Sequence, residues 1–227
     1  MGCLESKDCL ILGIDCSTRY TAVGYAKGDR VIGEMALDVG RYQSSLLPGL
    51  VEKLLSFVGF TLTDIDAVAT TIGPGYFTGV RVGLSYAMTL AFGLEVPVIP
   101  ILSLKALACD FLFVKNVVVI PVIWARGHEY YASAFESNGN DFIEIIEPKV
   151  IEEKELHSMI NGISKRRSEQ IFVIGDDVVR FRAKPEGACL VPNSTRGSNV
   201  AKLGFRFRSE AKCPSEIRAL YLREPYS

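Results

Sequence analysis

Residues 72–83 read Ile-Gly-Pro-Gly-Tyr-Phe-Thr-Gly-Val-Arg-Val-Gly. An apolar run typical of a buried strand, residues 67–71, precedes them, and an apolar pattern with helical periodicity, residues 80–92, follows them. A strand, a glycine-rich turn and a helix in this order direct backbone N–H groups toward an anion. The stretch lacks the Lys-Ser/Thr ending of a P-loop and the spacing of a dinucleotide fingerprint. It therefore predicts either a phosphate-binding turn or a tight strand-to-helix connection without a ligand.

Four residues of this turn are candidates for binding a nucleotide. Gly73, Gly75 and Gly79 can adopt positive φ without a Cβ penalty, which permits a tight turn around a phosphate. Thr78 can cap the helix that follows. A connection that binds nothing needs the same residue types, so both interpretations stay open.

A second polar turn follows the first predicted strand, residues 10–14. Asp15 could hold a hydrated Mg²⁺, and Ser17 and Thr18 could hold phosphate oxygens through their hydroxyl and backbone N–H groups. The same side chains could instead satisfy the backbone of their own turn. The sequence pattern is compatible with either use.

The remaining pattern is that of an α/β protein rich in strands. Apolar runs bounded by turn residues predict strands, and apolar residues at helical spacing predict helices. The predicted strands cover residues 10–14, 20–25, 31–37, 67–71, 98–102, 117–123, 130–136, 142–146 and 171–174. The predicted helices cover residues 46–58, 80–92, 152–160 and 199–207, and a further helix begins at Ser103.

Composition and charge argue against several classes of protein. Of the 227 residues, 48% are hydrophobic and 22% are charged, which is ordinary for a soluble globular chain. A net charge of -1 argues against tight nucleic-acid binding by the chain alone. The charge is uneven, however, because residues 1–162 sum to -7 and residues 163–227 sum to +6. The positive end is either ordinary solvated surface or a face for RNA or an acidic partner.

The six cysteines and two histidines form no metal-binding motif, because no pair of cysteines has Cys-x-x-Cys spacing. We therefore expect no metal site, and reduced cysteines in a cytoplasmic protein. The apolar run 106–125 contains Asp110, Lys115, Asn116 and Pro121. It predicts the end of a helix followed by a buried strand, and not a membrane span.

Four stretches share their order and spacing with one protein family. They are Ile14-Asp15-Cys16-Ser17-Thr18, the glycine-rich residues 73–83, Ala125-Arg126-Gly127-His128-Glu129-Tyr130-Tyr131-Ala132 and Ala219-Leu220-Tyr221-Leu222-Arg223-Glu224-Pro225. Over residues 9–225 the chain resembles the TsaB (YeaZ) family. The resemblance implies an α/β fold with two actin-like (ribonuclease H-like) lobes, the second abbreviated. The implied division is a disordered leader at residues 1–8, a first lobe at 9–112 and a second, smaller lobe at 113–227.

The resemblance also implies a function. Proteins of this family are non-catalytic scaffold subunits that bind and activate TsaD, which transfers a threonylcarbamoyl group to N6 of the tRNA adenosine adjacent to the anticodon. We expect TsaD as the main partner, TsaE as a further partner, and contact with tRNA only through the complex. We expect no membrane partner, and the lone chain could form a homodimer. No cofactor is expected to bind tightly, although ATP or ADP could bind in the complex.

Two departures from motifs of this superfamily bear on catalysis. TsaD carries His-x-x-x-His at the start of a helix, and the matching positions here hold Ser103 and Leu107, which cannot form an imidazole-ligated metal site. Where the family shows His-Ser-Glu before Leu-Leu-Pro, this chain has Tyr42-Gln43-Ser44, so a metal or charge role there is in doubt. We therefore expect the nucleotide-binding candidates Asp15, Ser17 and Thr18 to be vestigial and to satisfy their own turn.

Two enzyme functions remain as alternatives. An ATP-dependent phosphotransferase of the actin-like class would use Asp15 and the turn at residues 73–79. A glycoprotease-like peptidase is the second alternative, and the sequence shows neither a metal motif nor a nucleophile–base pair that would support it. A nucleotide-binding measurement separates the scaffold from the phosphotransferase.

The helix that begins at Gly79 predicts a partner-binding surface. At 100° per residue its glycines and alanines form one stripe, and small residues let another helix approach closely. A helix that is apolar almost all round is buried on more than one face. We expect one face to cover the first sheet and the rest, with helix 44–58, to bind the partner; the alternative is that the chain covers both faces itself. The expected contact residues are Leu46, Leu50, Gly83, Ala87, Met88 and Ala91.

Overall fold

The computed structural model describes residues 8–167, 169–176, 178–181 and 184–223. These residues form two compact units. The first unit contains the residues up to Ala106 together with Thr195–Leu220, and the second contains Leu107–Ser194 and the described residues after Leu220. Residues 1–7 of the expected leader lie outside the described part of the chain.

Within the described ranges, ten strands and five α-helices build the two units. The strands are β1 (Leu10–Asp15), β2 (Tyr20–Lys27), β3 (Arg30–Asp38), β4 (Ala67–Thr71), β5 (Val98–Ile101), β6 (Lys115–Arg126), β7 (Glu129–Asn138), β8 (Phe142–Glu152), β9 (Gln170–Gly175) and β10 (Ala188–Pro192). The helices are α1 (Gln43–Val58), α2 (Phe77–Leu94), α3 (Ser103–Ala108), α4 (Glu153–Arg166) and α5 (Gly197–Arg206). The predictions from sequence pattern are confirmed for nine strands and five helices, while β10 was not predicted.

The first unit is built on a sheet with strand order β3-β2-β1-β4-β5. Strand β2 is antiparallel to β1 and β3, and β4 is parallel to β1 and β5. Helices α1 and α2 cover one face. Because side chains alternate along a strand, this face receives Leu10, Leu12 and Ile14 of β1, which pack in one core cluster with apolar residues of both helices.

Helix α5 packs on the opposite face of the first sheet, where β1 and β2 each carry a glycine. A Cβ added to Gly13 of β1 would lie 2.2 Å from the carbonyl oxygen of Gly197, and one added to Gly24 of β2 would lie 2.2 Å from the backbone nitrogen of Ser198. Helix and strands therefore touch through their backbones. This packing corrects the expected division, which had assigned these residues to a second lobe at 113–227.

Helix α2 is long and apolar enough to cross a membrane if length and composition alone are considered. In the structure its small-residue stripe, including Gly83, Ala87 and Ala91, is buried. Both alanines belong to the core cluster beneath α1 and α2. One third of the helix is buried in this core, so burial accounts for the apolar residues of its inner face and not for the whole of its composition.

The second unit repeats the strand order of the first. Its sheet has the order β10-β9-β6-β7-β8, in which β7 is antiparallel to β6 and β8, and β9 is parallel to β6 and β10. Taken in chain order, these are the relations of β1 to β5. Helix α4 connects β8 to β9 and contributes Leu156, Ile160 and Ile163 to the core of this unit.

The two units differ most in the connection between their fourth and fifth strands. In the first unit this connection holds the 18-residue helix α2. In the second, its described residues include only a three-residue 3-10 turn, Val178–Arg180. The expectation of an abbreviated second lobe is therefore confirmed.

Candidate functional site

A buried carboxyl group lies at the end of β1, where the sequence predicted a polar turn. The side chain of Asp15 is fully buried. Its Oδ1 atom accepts hydrogen bonds from the hydroxyls of Ser17 at 2.7 Å and Thr71 at 2.6 Å, and from the Ser17 backbone N–H at 3.3 Å. Its Oδ2 atom accepts a hydrogen bond from the hydroxyl of Thr195. We call Ser17, Thr71 and Thr195 the hydroxyl cluster.

The hydroxyl cluster joins parts of the chain that are far apart in sequence. Ser17 follows β1, Thr71 ends β4, and Thr195 precedes α5. Burial raises the pKa of Asp15, and the hydrogen bonds from Thr195, Thr71 and Ser17 lower it by less, so its pKa lies above the usual range for a carboxyl group. Because Asp15 Oδ1 and Oδ2 both have hydroxyl donors, the observed arrangement crosslinks the fold and does not present an open ligand for a cation.

The glycine turn, residues 72–79, packs directly on this polar turn. A Cβ on Gly75 would lie 2.3 Å from the carbonyl oxygen of Ser17, and one on Gly79 would lie 2.0 Å from the carbonyl oxygen of Cys16. The backbone N–H of Tyr76 donates to the Ser17 carbonyl at 2.7 Å. The glycines are therefore needed because two backbones meet here. The Tyr76 N–H, which could have faced a phosphate, is instead used in a hydrogen bond within the protein.

The other side of the glycine turn meets the chain near the end of the first unit. Gly73 has φ +109°, which favours glycine, and a Cβ there would lie 2.5 Å from the carbonyl oxygen of Leu220. The backbone N–H of Leu220 donates to the carbonyl of Ile72 at 2.7 Å. Both sides of the turn are thus in contact with the first unit's own backbone.

Gln43 is a site residue that the sequence analysis did not identify. It begins α1, and its side-chain amide donates to the carbonyls of Thr18 at 3.1 Å and Tyr20 at 3.2 Å, with a longer bond of 3.5 Å to that of Cys16. The Cβ that Gly79 lacks would lie 2.8 Å from Gln43 Oε1. In the segment where the family shows His-Ser-Glu, this chain thus uses an uncharged amide to bind the backbone of the polar turn.

The structure brings together six of the seven predicted nucleotide-site residues. They are Asp15, Ser17, Thr18, Gly73, Gly75 and Gly79, and the Thr18 hydroxyl accepts a hydrogen bond from the Tyr20 N–H at 3.3 Å. Thr78 does not take its predicted part as the cap, because α2 begins at Phe77 and Thr78 lies inside the helix. The cap position is held by Tyr76, whose side chain makes no capping hydrogen bond. Thr71 and Thr195 were missed, although a threonine that ends a buried strand is a usable signal for Thr71.

The predicted partner surface needs a larger correction. Leu50, Gly83, Ala87 and Ala91 are buried within the chain, and a Cβ on Gly83 would lie 3.2 Å from the Cβ of Cys16. The small-residue stripe therefore faces the first sheet and the polar turn and is not available to a partner. Met88 is half-buried, and Leu46 is exposed.

Large apolar side chains do lie on the solvent side of the same two helices. Tyr42 precedes α1, Leu46 and Phe57 belong to α1, and Phe92 belongs to α2; all four are exposed. Helices α1 and α2 pack against each other. We call these four residues the outer apolar face.

Three further residues, Ser103, Leu107 and Cys16, bear on the chemistry that an enzyme site would need. Ser103 and Leu107 are buried, and no three His, Cys, Asp or Glu side chains in the described ranges form a cluster that could hold a metal ion. Burial and the nearby Asp15 raise the pKa of the Cys16 thiol, so its nucleophilic thiolate is disfavoured.

Comparison with known proteins identifies the family. The family model described as "TsaD: tRNA N6-adenosine threonylcarbamoyltransferase" matches residues 37–184. The chain is 34% identical to the Haemophilus influenzae tRNA threonylcarbamoyladenosine biosynthesis protein TsaB, over 94% of this chain and 93% of that protein. It is 32% identical to Escherichia coli TsaB over 63% of this chain and 65% of that protein. YeaZ from Pseudomonas aeruginosa superposes with a TM-score of 0.75 at 24% identity, covering 94% of this chain and all of that one.

Two repeats of one mixed sheet, together with the YeaZ superposition, define a two-lobe α/β protein of the actin-like class. The polar turn and the glycine turn occupy the first lobe of this fold. The chain belongs to the TsaB (YeaZ) family, as the resemblance of its four sequence stretches predicted.

Proposed function

We propose that this chain is a non-catalytic scaffold subunit in the biosynthesis of threonylcarbamoyladenosine in tRNA. It would bind a TsaD-type transferase and stabilise that transferase in its active state, while the chemistry belongs to TsaD. The observation that carries the proposal is membership in the TsaB family over nearly the full chain. The match to a TsaD family model fits a subunit that shares its fold with the enzyme it binds.

The geometry of the first lobe supports a non-catalytic role. A phosphotransferase of the actin-like class needs a carboxylate open to a cation and turns open to phosphate. Here Asp15 is buried among hydroxyls, and the two turns bond to each other through the Tyr76 N–H and the Ser17 carbonyl. We therefore propose that the lone chain binds ATP weakly at most, and that any ATP or ADP in the assembly is bound with the partners.

The outer apolar face is the proposed contact for TsaD. Its four exposed apolar side chains lie on or next to two helices that pack against each other, and exposed apolar surface of this kind is a candidate protein interface. The residues that dominate binding energy at interfaces are enriched in Trp, Tyr and Arg. Tyr42 is of this kind, and Phe57 and Phe92 add exposed aromatic surface. The lone chain is proposed to pair with itself through the same face when TsaD is absent. The ATPase TsaE would join the assembly in the cytoplasm, with no membrane partner.

Co-purification with TsaD tests the proposal directly. Leu46→Arg places a charge on the outer apolar face, and Leu37→Arg on β3 is its matched control, since the two leucines are 42% and 43% exposed. We expect Leu46→Arg to weaken TsaD binding by about tenfold or more, and Leu37→Arg to leave it within about twofold. Equal binding by wild type and by a Leu46→Arg, Phe92→Arg double variant that still folds would rule this face out.

An activity assay tests the division of labour. The isolated chain, given threonylcarbamoyl-adenylate and tRNA, is expected to form no modified adenosine, whereas adding it to TsaD should raise the rate. Turnover by the chain alone would contradict the non-catalytic role. Calorimetry with Mg-ATP should likewise show no tight binding; a dissociation constant in the low micromolar range would favour the phosphotransferase.

A further inference from the structure

The end of α5 and the segment after it carry a group of positively charged side chains. Eight of the ten residues of α5 are buried, and the two that are not are Lys202 and Arg206, one helical turn apart. Arg208 and Lys212 follow in the next six residues, and Lys105 of α3 lies beside them against Phe207. We call Lys105, Lys202, Arg206, Arg208 and Lys212 the basic patch.

Aromatic rings orient two of these cations. The Nζ atom of Lys105 lies 4.4 Å from the ring centroid of Phe207, and the guanidinium carbon of Arg208 lies 4.4 Å from that of Phe205. Arg208 Nη1 also donates to the Phe205 carbonyl at 2.7 Å. A cation held over a ring keeps its charge while losing rotamer freedom, so less entropy is lost when it meets an anion.

The backbone beneath the basic patch is tied to the first sheet. The N–H of Lys212 donates to the carbonyl of Val98 at 2.9 Å, and the N–H of Val98 donates to that of Lys212 at 2.9 Å. This pair joins the segment to the edge strand β5. The side chain of Lys212 is exposed. The patch therefore projects from a fixed surface and not from a loose terminus.

The local charge balance is positive in a chain that is slightly acidic overall. The carboxylates near the five cations include Asp29, which lies 3.6 Å from Arg206 Nε, and the exposed Glu210 and Glu216. Glu216 accepts a hydrogen bond from the N–H of Cys213, the residue after Lys212, at 3.0 Å. The whole chain has a net charge of -1. Cations that accumulate on one rigid surface against this background suit a polyanion whose charges are regularly spaced. An RNA backbone, with one phosphate per nucleotide, meets that description better than a folded acidic protein.

We propose that the basic patch contacts the phosphate backbone of tRNA in the assembled complex. The proposal rests on the proposed function for the identity of the RNA, and on the charge and geometry of the patch for the contact itself. Phosphate contacts position a nucleic acid without reading its bases. The patch would thus add affinity and orientation, and leave the choice of adenosine to the transferase. This surface is distinct from the outer apolar face, which lies on α1 and α2.

Charge reversal at Lys202 and Lys212 tests the proposal, because neither aromatic ring orients these two lysines and their replacement leaves both ring contacts in place. We compare Lys202→Glu, Lys212→Glu with a control of equal charge change in the second unit, Lys149→Glu, Lys154→Glu. A neutral variant, Lys202→Gln, Lys212→Gln, removes the cations without adding repulsion. Each is assembled with TsaD, and binding of a fluorescent tRNA transcript is measured by anisotropy over a range of salt concentrations. Thermal melting establishes that each variant is folded.

We expect the patch variant to bind tRNA about tenfold more weakly at low salt. The slope of log K against log salt should fall in magnitude by about 2, because each lysine that no longer neutralises a phosphate reduces it by about 1. The neutral variant should reproduce the change in slope, and the control should stay within about twofold of wild type. An equal loss of affinity in the patch variant and the control, or no loss in either, would overturn the proposal.

Two further outcomes separate this proposal from the proposed function. If wild-type chain fails to co-purify with TsaD, the proposed function fails, and the same variants measured on the lone chain at low salt still test the patch. If the patch variant loses TsaD itself, the surface binds protein and the RNA assignment is wrong. Normal TsaD binding with weakened tRNA binding is the result that supports the assignment.

Discussion

The first and second sheets have the same strand order, yet their opening hairpins are used differently. In the first unit, the turn after β1 is buried: Asp15, Ser17 and Thr18 are covered by the glycine turn, by α1 and by the segment before α5. In the second unit, the turn after β6 is exposed, with Arg126, Gly127 and His128 at the surface. One topology thus provides a covered polar site in one case and an open hairpin in the other.

The difference follows from what each sheet has available to cover it. The first sheet has the long helix α2 after its fourth strand and α5 on its other face. The second has a 3-10 turn at the position of α2. A polar residue at the end of a strand becomes part of the core only when other segments supply hydrogen bonds to it. Asp15 receives hydrogen bonds from such segments. In the second unit, Arg126 Nε lies 3.6 Å from Oε2 of Glu129 in its own hairpin.

The strongest test of this comparison is a methyl group placed between α5 and the first sheet. A Cβ on Gly197 would lie 2.1 Å from the backbone carbon of Val23. We expect Gly197→Ala to lower the free energy of unfolding by about 3 kcal/mol or more, because backbone must move to relieve the overlap. Urea denaturation measures the effect.

The matched control lies in the second unit. Gly162 of α4 has open space around its Cβ position, so Gly162→Ala should be neutral or stabilising by up to about 1 kcal/mol, as helix propensity predicts. Equal and small effects at Gly197 and Gly162 would show that close backbone packing does not hold α5 on the first sheet.

Removing one hydroxyl from the cluster should have the next largest effect. Thr195→Val keeps the shape of the side chain and removes its hydrogen bond to Asp15. Removing one partner of a buried hydrogen bond costs about 1–3 kcal/mol, and chemical denaturation should show a loss in that range. Thr89→Val, on the exposed side of α2, should change stability by less than about 0.5 kcal/mol. If both variants matched wild type, Thr195 would not secure the segment before α5.

The contribution of Asp15 to the free energy of unfolding should decrease as pH rises, which is the opposite of the usual behaviour of a carboxyl group. Burial holds the pKa of this carboxyl above its usual value, so the folded state favours the neutral form. Its contribution to stability is complete below the unfolded pKa and is lost as pH rises through the folded pKa. Stability measured from about pH 3 upward should therefore fall in wild type relative to Asp15→Asn.

Asp64 provides a control of opposite sign. Its carboxylate accepts hydrogen bonds from the backbone N–H and the hydroxyl of Thr61, which lower its pKa. Wild type should gain stability relative to Asp64→Asn as pH rises through this range. Parallel profiles for the two variants would contradict the buried, neutral-favouring environment of Asp15.

The smallest effect is expected in the second unit, where a polar pair lies at the surface. Glu136 accepts a bond of 2.5 Å from Arg167, and both side chains are about a third exposed. Glu136→Gln should cost about 0.2–1 kcal/mol, and salt should reduce the difference. A loss above about 2 kcal/mol that persists in high salt would mean that the second unit depends on its polar pairs as strongly as the first.

Local pattern was sufficient for most of the elements. Strand β4 has its predicted bounds, 67–71, and the periodicity of residues 80–92 lies wholly within α2. Strand β10, Ala188–Pro192, is a short apolar run that shows no apolar–polar alternation, contains no buried residue and ends in a proline, which is unfavourable in a central strand. It is recognisable only from its parallel pairing with β9. Periodicity reports which face of an element is apolar, and an edge strand with weak contrast offers little of that signal.

Sequence pattern and the resemblance of four stretches established the α/β class and the family, and they marked a polar turn and a glycine turn as candidate sites. The contact between the two turns is a finding of the structure. Tertiary structure alone decided what those turns do. Thr195 reaches Asp15 across 180 positions of the chain, and Gln43 reaches the carbonyls of the polar turn from the start of α1. It also decided that the small-residue stripe of α2 faces inward, leaving Leu46 and Phe92 exposed. These hydrogen bonds and packing faces depend on which segments, distant in sequence, lie next to each other in the folded chain. Residue spacing within one segment does not specify that neighbour.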